Sequence, residues 1–218
     1  MGEKLFADVL AMQVIPRVDS QLASEFNLQP HQQSLGIVTL TIDDVGYTAI
    51  DEATKHAEVD VVYAKSFYAG AAHASGPLSG EMIGVIAGPS PDEIYSGFEA
   101  IRQKVTYDAY FEEVGHLPGH ILYAHTVSSC GSYLAEVANV PIGSALAYLI
   151  APPLEAVVGL DAALKAADVE LKVFFGPPSE TNFGGALLSG SQSACKAAAD
   201  AFRDTIEKVA QNPVDEKG

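Results

Sequence analysis

Three carboxylates lie where a small cation could be bound. Asp43 and Asp44 follow an apolar segment, and Glu81 follows the glycine-rich segment 70–80 and opens another apolar segment. A carboxylate held at a strand edge or an interface can accept charge-assisted hydrogen bonds from a cationic amine. For Asp43 and Asp44 the alternative is a solvated turn that blocks extension of the strand, and the sequence alone favours that alternative.

Three histidines, His116, His120 and His125, are the nearest approach to a metal cluster. Zinc sites usually add thiolates or carboxylates to histidines, and the segment 116–125 contains neither. We therefore interpret them as ordinary histidines of a linker and a strand start, with weak zinc binding as the alternative. The chain also lacks GxGxxG, GxSxG, HExxH, a Walker loop and any local nucleophile signature. We expect no enzymatic activity and assign no catalytic residue, metal or cofactor.

The two cysteines, Cys130 and Cys195, are too few for a disulfide framework in a chain of 218 residues and have no metal-binding spacing. Both belong to the second half of the chain and can approach each other there. We expect free thiols in a reducing cytosol, with a disulfide between them as a possible product of air oxidation.

The charge balance restricts the partners. Acidic residues outnumber basic residues 28 to 12, which gives a net charge of −16. Nucleic acid and anionic membrane surfaces are repelled by such a chain, whereas cations and amines are attracted. Only 18% of the residues are charged and 48% are hydrophobic, so large interfaces are expected to cover part of the surface.

Neither a signal peptide nor a membrane span is predicted. Glu3 and Asp8 interrupt any apolar run at the N-terminus, and the longest charge-free apolar segment, Val137–Leu154, is broken by three prolines.

An internal repeat covers nearly the whole chain. Segments of the first half recur 102 to 112 residues later, and the loop before the last strand is shorter in the second copy. The matched segments are Ile50–Val59 with Leu160–Val169 and Ser34–Val38 with Ser144–Tyr148 at an offset of 110, Ser20–Ala23 with Ser132–Ala135 at 112, and Ala87–Ser90 with Ser189–Gln192 at 102. The loops 70–80 and 175–185 occupy corresponding places, and long loops of this kind are often functional.

Each copy is predicted to contain strand, helix, strand, strand, helix, strand, loop, strand and helix. In the first copy Asp51 is expected to cap a short helix that buries Ala53 and Ala57. The capping box Ser90–Glu93 starts a second helix, with Ile94, Phe98, Ile101 and Val105 on its buried side. The predicted strands are Val9–Val18, Leu35–Leu40, Val59–Tyr63 and Met82–Ile86.

The boundary between the copies is placed near 108–119, which gives domains 1–110 and 111–218. The first has 15 acidic and 6 basic residues and the second has 13 and 6, so both are acidic. One module has been duplicated, and composition and periodicity alone identify a duplicated, assembling α+β protein.

Several long segments closely resemble the L-type shell proteins of ethanolamine-utilisation bacterial microcompartments. They are SLGIVTLTIDDVGY, DEATKHAEVDVVYAKSFYAGAAH, AYLIAPPLEAVVGLDAALKAADVEL, PPSETNFGGALLSGSQSACKAA and the closing QNP. The resemblance covers about residues 10–213. It implies an α+β fold made of two tandem, circularly permuted microcompartment domains, each a small, mainly antiparallel sheet flanked by helices.

The resemblance also implies an assembly and a ligand. Three chains would form a flat homotrimer that mimics a hexamer and tiles with other shell proteins. Its central pore would be gated by the loops Lys65–Gly80 and Gly176–Gly184, and small acidic channels would bind ethanolamine and favour the closed pore. The implied pore-loop residues are Tyr68, Gly70, His73, Gly80, Phe175, Asn182 and Phe183. The implied ethanolamine ligands are Asp43, Asp44, Glu81, Ser179, Glu180 and Thr181, with Phe111 as a weaker candidate.

The expected function is therefore structural and transport-related, in a microcompartment shell in the cytoplasm. Zinc and cobalamin are linked to the family as pore ligands, although no motif here supports either. Two alternatives remain at this stage: a soluble amine-binding regulator, and an amine-acting enzyme that uses Asp43, Glu81 or His73 for acid-base chemistry.

Overall fold

The computed structural model describes residues 2–67, 72, 74–115 and 118–214. The chain packs as two compact units, each of which includes a short segment from the other half of the sequence. The N-terminal unit is Phe6–Ala109 with Gly131–Glu136, and the C-terminal unit is Met1–Leu5, Tyr110–Cys130 and Val137–Gly218. The division into domains 1–110 and 111–218 stays a prediction.

Four antiparallel strands and the helices packed on them form the N-terminal unit. After β1 (Lys4–Phe6), which joins the other sheet, the elements are β2 (Val9–Ile15), α1 (Ser20–Glu25), β3 (Ser34–Leu40), α2 (Asp43–His56), β4 (Asp60–Ser66), β5 (Met82–Gly88) and α3 (Pro91–Tyr107). The sheet order is β2-β3-β5-β4. The central strands β3 and β5 are almost wholly buried, as their apolar sequences require.

The C-terminal unit has a six-stranded sheet of order β1-β6-β7-β8-β10-β9. Its elements are β6 (Tyr110–Glu113), β7 (Ile121–Val127), β8 (Ala145–Ala151), α5 (Pro153–Ala166), β9 (Val169–Phe175), β10 (Gly184–Gly190) and α6 (Gln192–Gln211), and α4 (Ser132–Ala138) starts in the N-terminal unit. Its core lies between the sheet and the pair α5 and α6, where Phe202 and Ile206 are fully buried.

The order of elements corrects one prediction. Each copy has a strand, a helix, a strand, a helix, two strands and a helix, so the predicted extra strand before the second helix is wrong. The reason is local: β3 ends at Leu40, and the chain turns directly into α2 at Asp43.

The pairing of strands also corrects two offsets of the repeat. Ser34 pairs with Gly88 and Ala145 pairs with Gly190, so Ser34 corresponds to Ala145 at an offset of 111 instead of 110. A slip of one residue in a strand would exchange its two faces. The N-caps of α3 and α6 are Ser90 and Ser191, so the last helices are offset by 101 instead of 102. Loops that differ by one residue between the copies cause both shifts.

The predicted start and buried face of α3 are confirmed. The hydroxyl of Ser90 accepts from the backbone N–H of Glu93, and Ile94, Phe98, Ile101 and Val105 are buried. The Glu93 carboxylate accepts from the backbone N–H of Glu58 at 2.6 Å, so it fixes the loop before β4. None of the described helices has the length and hydropathy of a membrane-spanning segment.

Candidate functional site

The carboxylates of Asp43 and Asp44 lie in the first turn of α2, and both residues are only 6% exposed. The alternative of a solvated turn is therefore wrong. Negative charge at a helix N-terminus is favourable because of the helix dipole, which explains why an acidic pair directly after a strand starts a helix here. Ile42, at the N-cap, makes no side-chain cap hydrogen bond.

The missing cap of α2 is supplied by Glu81, from outside the helix. Its Oε2 accepts from the backbone N–H of Asp43 at 3.0 Å. Glu81 is held by its own backbone, since its N–H donates to the carbonyl of Leu40 at 2.8 Å. The preceding Gly80 has φ of +64°, and a Cβ there would lie 2.2 Å from the Leu40 oxygen, so only glycine can place Glu81 at this point.

Two polar side chains that were not identified from the sequence support the carboxylate of Asp43, Ser66 directly and Tyr47 through Ser66. The hydroxyl of Ser66, the last residue of β4, donates to Oδ2 of Asp43 at 2.6 Å, and the hydroxyl of Tyr47 contacts Ser66 Oγ at 2.5 Å. The backbone N–H of Asp44 donates to Oδ1 at 2.8 Å. Tyr47 lies four residues after Asp43 and therefore on the same face of α2. This spacing is the sequence signal that could have placed Tyr47 at the site.

Burial makes these carboxylates unusually basic. Desolvation, followed by the nearby charge of Asp43, raises the pKa of Glu81 to about 7. Desolvation also raises the pKa of Asp43, against the hydrogen bonds from Ser66 and Asp44. In the described part of the chain, neither Asp43 nor Glu81 forms an ion pair with Lys, Arg or His. Such a pair can hold a proton or a small cation.

Asp51 was predicted to cap the start of a short helix, and that prediction is wrong. It lies in the third turn of α2, is buried, and accepts from the backbone N–H groups of Gly131 at 2.7 Å and Leu134 at 2.8 Å. The carboxylate therefore caps α4. Thr54 Oγ1 accepts from the N–H of Ser132 at 3.0 Å and completes this contact. The prediction failed because the partners lie about 80 residues away in sequence.

The predicted polar ligands of the second copy lie in the C-terminal unit, in the loop before β10. The loop closes on itself: the N–H of Ser179 donates to the carbonyl of Phe183 at 2.6 Å, and the N–H of Asn182 donates to that of Ser179. Ser179 Oγ and Thr181 Oγ1 are 3.5 Å apart. Thr181 is buried, whereas Glu180 and Asn182 are exposed. Their role as ligands stays a prediction.

Phe111 is buried in the C-terminal unit. Its ring stacks on Tyr123 with centroids 5.1 Å apart and meets the edge of Phe183 at 5.9 Å. Phe175 contacts Tyr148 at 5.9 Å in the same aromatic cluster. Phe111, Phe175 and Phe183 thus form part of the hydrophobic packing beneath the loop, and any contact with a ligand or the pore stays a prediction.

Three of the predicted pore-loop residues, Tyr68, Gly70 and His73, lie outside the described residues, as does His116. Lys65 and Ser66 belong to β4 and Gly184 to β10, so the two loops are shorter than predicted. His120 lies 2.9 Å from the carboxylate of Glu155, and within the described ranges no group of three His, Cys, Asp or Glu side chains is arranged for a metal.

The cysteines are two buried thiols in the C-terminal unit and do not form a disulfide in the structure. Cys130 Sγ lies 3.8 Å from the Pro141 carbonyl, and Cys195 Sγ lies 4.0 Å from that of Leu188. Burial raises the pKa of Cys195, which disfavours its reactive thiolate form.

Comparison with known proteins decides the family. A model of the BMC domain matches residues 34–114. The bacterial microcompartment shell protein EutL of Clostridium perfringens (strain 13 / Type A) is 55% identical over 95% of both chains. The protein of the same name from Escherichia coli (strain K12) is 48% identical over 94% of both. The chain belongs to the EutL family of bacterial microcompartment shell proteins.

The fold of the chain agrees with that of a solved EutL structure. The crystal structure of the ethanolamine utilization protein EutL from Leptotrichia buccalis C-1013-b matches with a TM-score of 0.96 and 54% identity, over 98% of this chain and 99% of that one. The predicted resemblance and the predicted α+β class, a tandem of BMC domains with antiparallel sheets, are thereby confirmed. A structural role in a microcompartment shell follows from EutL family membership.

Proposed function

We propose that the chain is a tile of an ethanolamine-utilisation microcompartment shell in the cytoplasm. Three chains form a pseudohexameric trimer that packs beside other shell proteins. A gated central pore passes metabolites or cofactors, and small acidic channels bind ethanolamine. The role is structural and transport-related, with no catalytic step.

The single observation that carries the ligand proposal is the carboxylate pair Asp43 and Glu81. Asp43 is buried and Glu81 is half-buried, and neither has a cationic partner among the described side chains. Buried charge without a counter-ion is costly, so an ammonium group that fits the site would be stabilised there. Ethanolamine offers an ammonium group at one end and a hydroxyl at the other.

The size of the ligand limits its affinity. Ethanolamine has four heavy atoms, and the best small ligands gain about 1.5 kcal/mol per heavy atom. A partly hydrated ligand of this size should bind with a dissociation constant in roughly the micromolar to millimolar range. We assign the ammonium group to Asp43 and Glu81, with Asp44 beside them. The assignment of the hydroxyl to Ser179, Glu180 and Thr181 rests on the resemblance.

Titration calorimetry with ethanolamine tests the site directly. Glu81→Gln should weaken binding by roughly tenfold or more, because one charge-assisted hydrogen bond contributes about 1.5 to 3 kcal/mol. Asp161→Asn is a matched control, since Asp161 is an exposed carboxylate on α5 that pairs with Lys165. Unchanged affinity in Glu81→Gln, with the fold intact, would refute the proposed site.

Assembly into a shell is tested separately. Purified protein viewed by electron microscopy should form flat sheets or co-assemble with other shell proteins. A protein that binds ethanolamine but never forms such sheets would instead be a soluble amine-binding regulator.

A further inference from the structure

The carboxylates of Asp43 and Glu81 have unequal hydrogen-bond support. Asp43 accepts at both oxygens, from Ser66 Oγ at 2.6 Å and from the N–H of Asp44 at 2.8 Å. Among the described residues, Glu81 accepts at Oε2 alone, from the N–H of Asp43 at 3.0 Å. Donors stabilise the ionised form of a carboxylate. When the two groups share one proton, that proton therefore resides on Glu81.

Among the described residues, no Lys, Arg or His forms an ion pair with Glu81 that could replace the proton. α2 carries Asp43, Asp44 and Tyr47 near its start and Asp51, Glu52, Lys55 and His56 further along, β4 carries Asp60, Tyr63 and Lys65, and β3 and β5 carry no titratable residue. Of these, Asp44 forms a side-chain hydrogen bond with Asp43. Lys65 is exposed and precedes Ser66, and successive residues of a strand point to opposite faces. Since Ser66 faces Asp43, Lys65 points away. Within the described residues, the site holds the carboxylates of Asp43 and Glu81 with Asp44 beside them, the hydroxyls of Ser66 and Tyr47, and no ion-paired cation.

We propose, building on the proposed ethanolamine site, that Glu81 carries a proton in the empty site and releases it when a primary ammonium ion binds. The ammonium group donates hydrogen bonds to the Glu81 and Asp43 carboxylates. The proton leaves the Glu81 carboxyl oxygen for solvent, so one positive charge enters as another leaves. No bond in the ligand is made or broken. Occupancy of the site thus depends on pH as well as on the concentration of the amine.

The expected size of the effect follows from a group that titrates near neutrality, since the pKa of Glu81 is about 7. An amine that requires the ionised form should bind about tenfold more tightly at pH 8 than at pH 6, and binding at pH 7 should release about half a proton. The amine itself stays protonated over this range, so the change belongs to the site.

Calorimetry with ethanolamine at pH 6, 7 and 8 measures both quantities. Each titration is repeated in two buffers that differ in ionisation enthalpy and contain no primary amine, such as phosphate and HEPES. The difference in heat between the buffers gives the number of protons released. Glu81→Gln should bind weakly, with no proton release and no dependence on pH.

Two further variants keep the test decisive if Glu81→Gln folds poorly. Ser66→Ala removes a donor from Asp43 and should move the midpoint of the pH dependence upward. Glu52→Gln changes another carboxylate of α2, whose pKa is lowered to about 2 because its partners Lys55 and Lys104 outweigh the effect of burial, and it should leave the pH dependence intact.

The outcomes separate this inference from the proposed function. Binding with no proton release and equal affinity at pH 6 and pH 8 would overturn the proton exchange and leave the ethanolamine site standing. No binding by the wild-type protein at any of the three pH values would overturn both.

Discussion

At the scale of single residues, the desolvated carboxylates of Asp43 and Glu81 oppose folding when they are ionised. Glu81 has its pKa raised to about 7 by desolvation and by the charge of Asp43, from an ordinary value of 4.5. A raised carboxyl pKa means that the folded state binds the proton more tightly than the unfolded state does. The corresponding stability is complete below pH 4.5 and is lost as the pH rises through about 7.

This linkage predicts that the protein is more stable in mild acid than in mild alkali. From Glu81 alone, the free energy of unfolding should be about 2 kcal/mol greater at pH 5.5 than at pH 8. Glu81→Gln removes the titrating group, so the variant should lack this part of the difference in unfolding free energy between pH 5.5 and pH 8. Urea unfolding of both proteins at the two pH values measures it. An identical pH dependence in wild type and variant would contradict the prediction.

At the scale of elements, the N-terminus of α4 is capped by Asp51, a side chain of α2. Asp51→Ala leaves the N–H groups of Gly131 and Leu134 without their acceptor in a buried place. The free energy of unfolding should fall by about 2 kcal/mol, between the cost of a lost cap and that of two unsatisfied donors. The repeat supplies the control: Asp161, at the corresponding place on α5, is an exposed residue paired with Lys165.

Asp161→Ala should therefore change stability by no more than about 0.5 kcal/mol. Urea unfolding of the two variants under one set of conditions makes the comparison. If both variants lost the same stability, the contact of Asp51 with α4 would contribute nothing beyond an ordinary surface charge.

A second prediction at this scale concerns the close approach of α5 and α6. A Cβ on Gly159 would lie 2.7 Å from the buried ring of Phe202. Gly159→Ala gains about 1 kcal/mol of helix propensity but overpacks a rigid ring, which costs about 1 to 3 kcal/mol, so a net loss is expected. In α3, a Cβ on Gly97 would crowd only the terminal Cδ1 of Ile86, at 2.9 Å, and would make ordinary contacts with Ala53 and Val59 at 3.5 Å. Because the end of an aliphatic side chain can shift, Gly97→Ala should be neutral or stabilising. Thermal unfolding of both variants tests the difference in sign.

Local pattern explains which elements could be predicted from sequence. The stripe Ile94, Phe98, Ile101 and Val105 and the Ser90 cap are set by residues a few positions apart, and the structure confirms them. The carboxylate of Asp43 is held by Ser66 and that of Asp51 by Gly131, and both partners are distant in sequence. No periodicity encodes such pairs, whereas the family resemblance could mark Asp43 and Glu81 together.

At the scale of the whole molecule, the repeat leaves one helix face covered and its counterpart uncovered. In the N-terminal unit, Gly131–Glu136 packs on α2 and buries Leu134 to 1% exposure. The corresponding helix α5 exposes Leu154 at 59% and Val157 at 49%. The counterpart of α4 is α1, which has no buried residue. Its Leu22, at the place of Leu134, is exposed at 39%.

This difference in exposure between α2 and α5 predicts how copies of the chain assemble. If every copy of the repeat is covered in the same way, α1 of one chain covers α5 of the next. Such a head-to-tail contact forms a ring when its rotation closes, and the proposed pseudohexamer of six modules then requires three chains. Light scattering should therefore give about three times 22.9 kDa.

Leu22→Glu and Val157→Glu should each shift the protein toward monomers, because each places a charge in an apolar contact. Tyr107→Glu, an exposed apolar position on α3, should leave the trimer intact. A wild-type monomer at micromolar concentration, or a trimer that survives both substitutions, would exclude this arrangement.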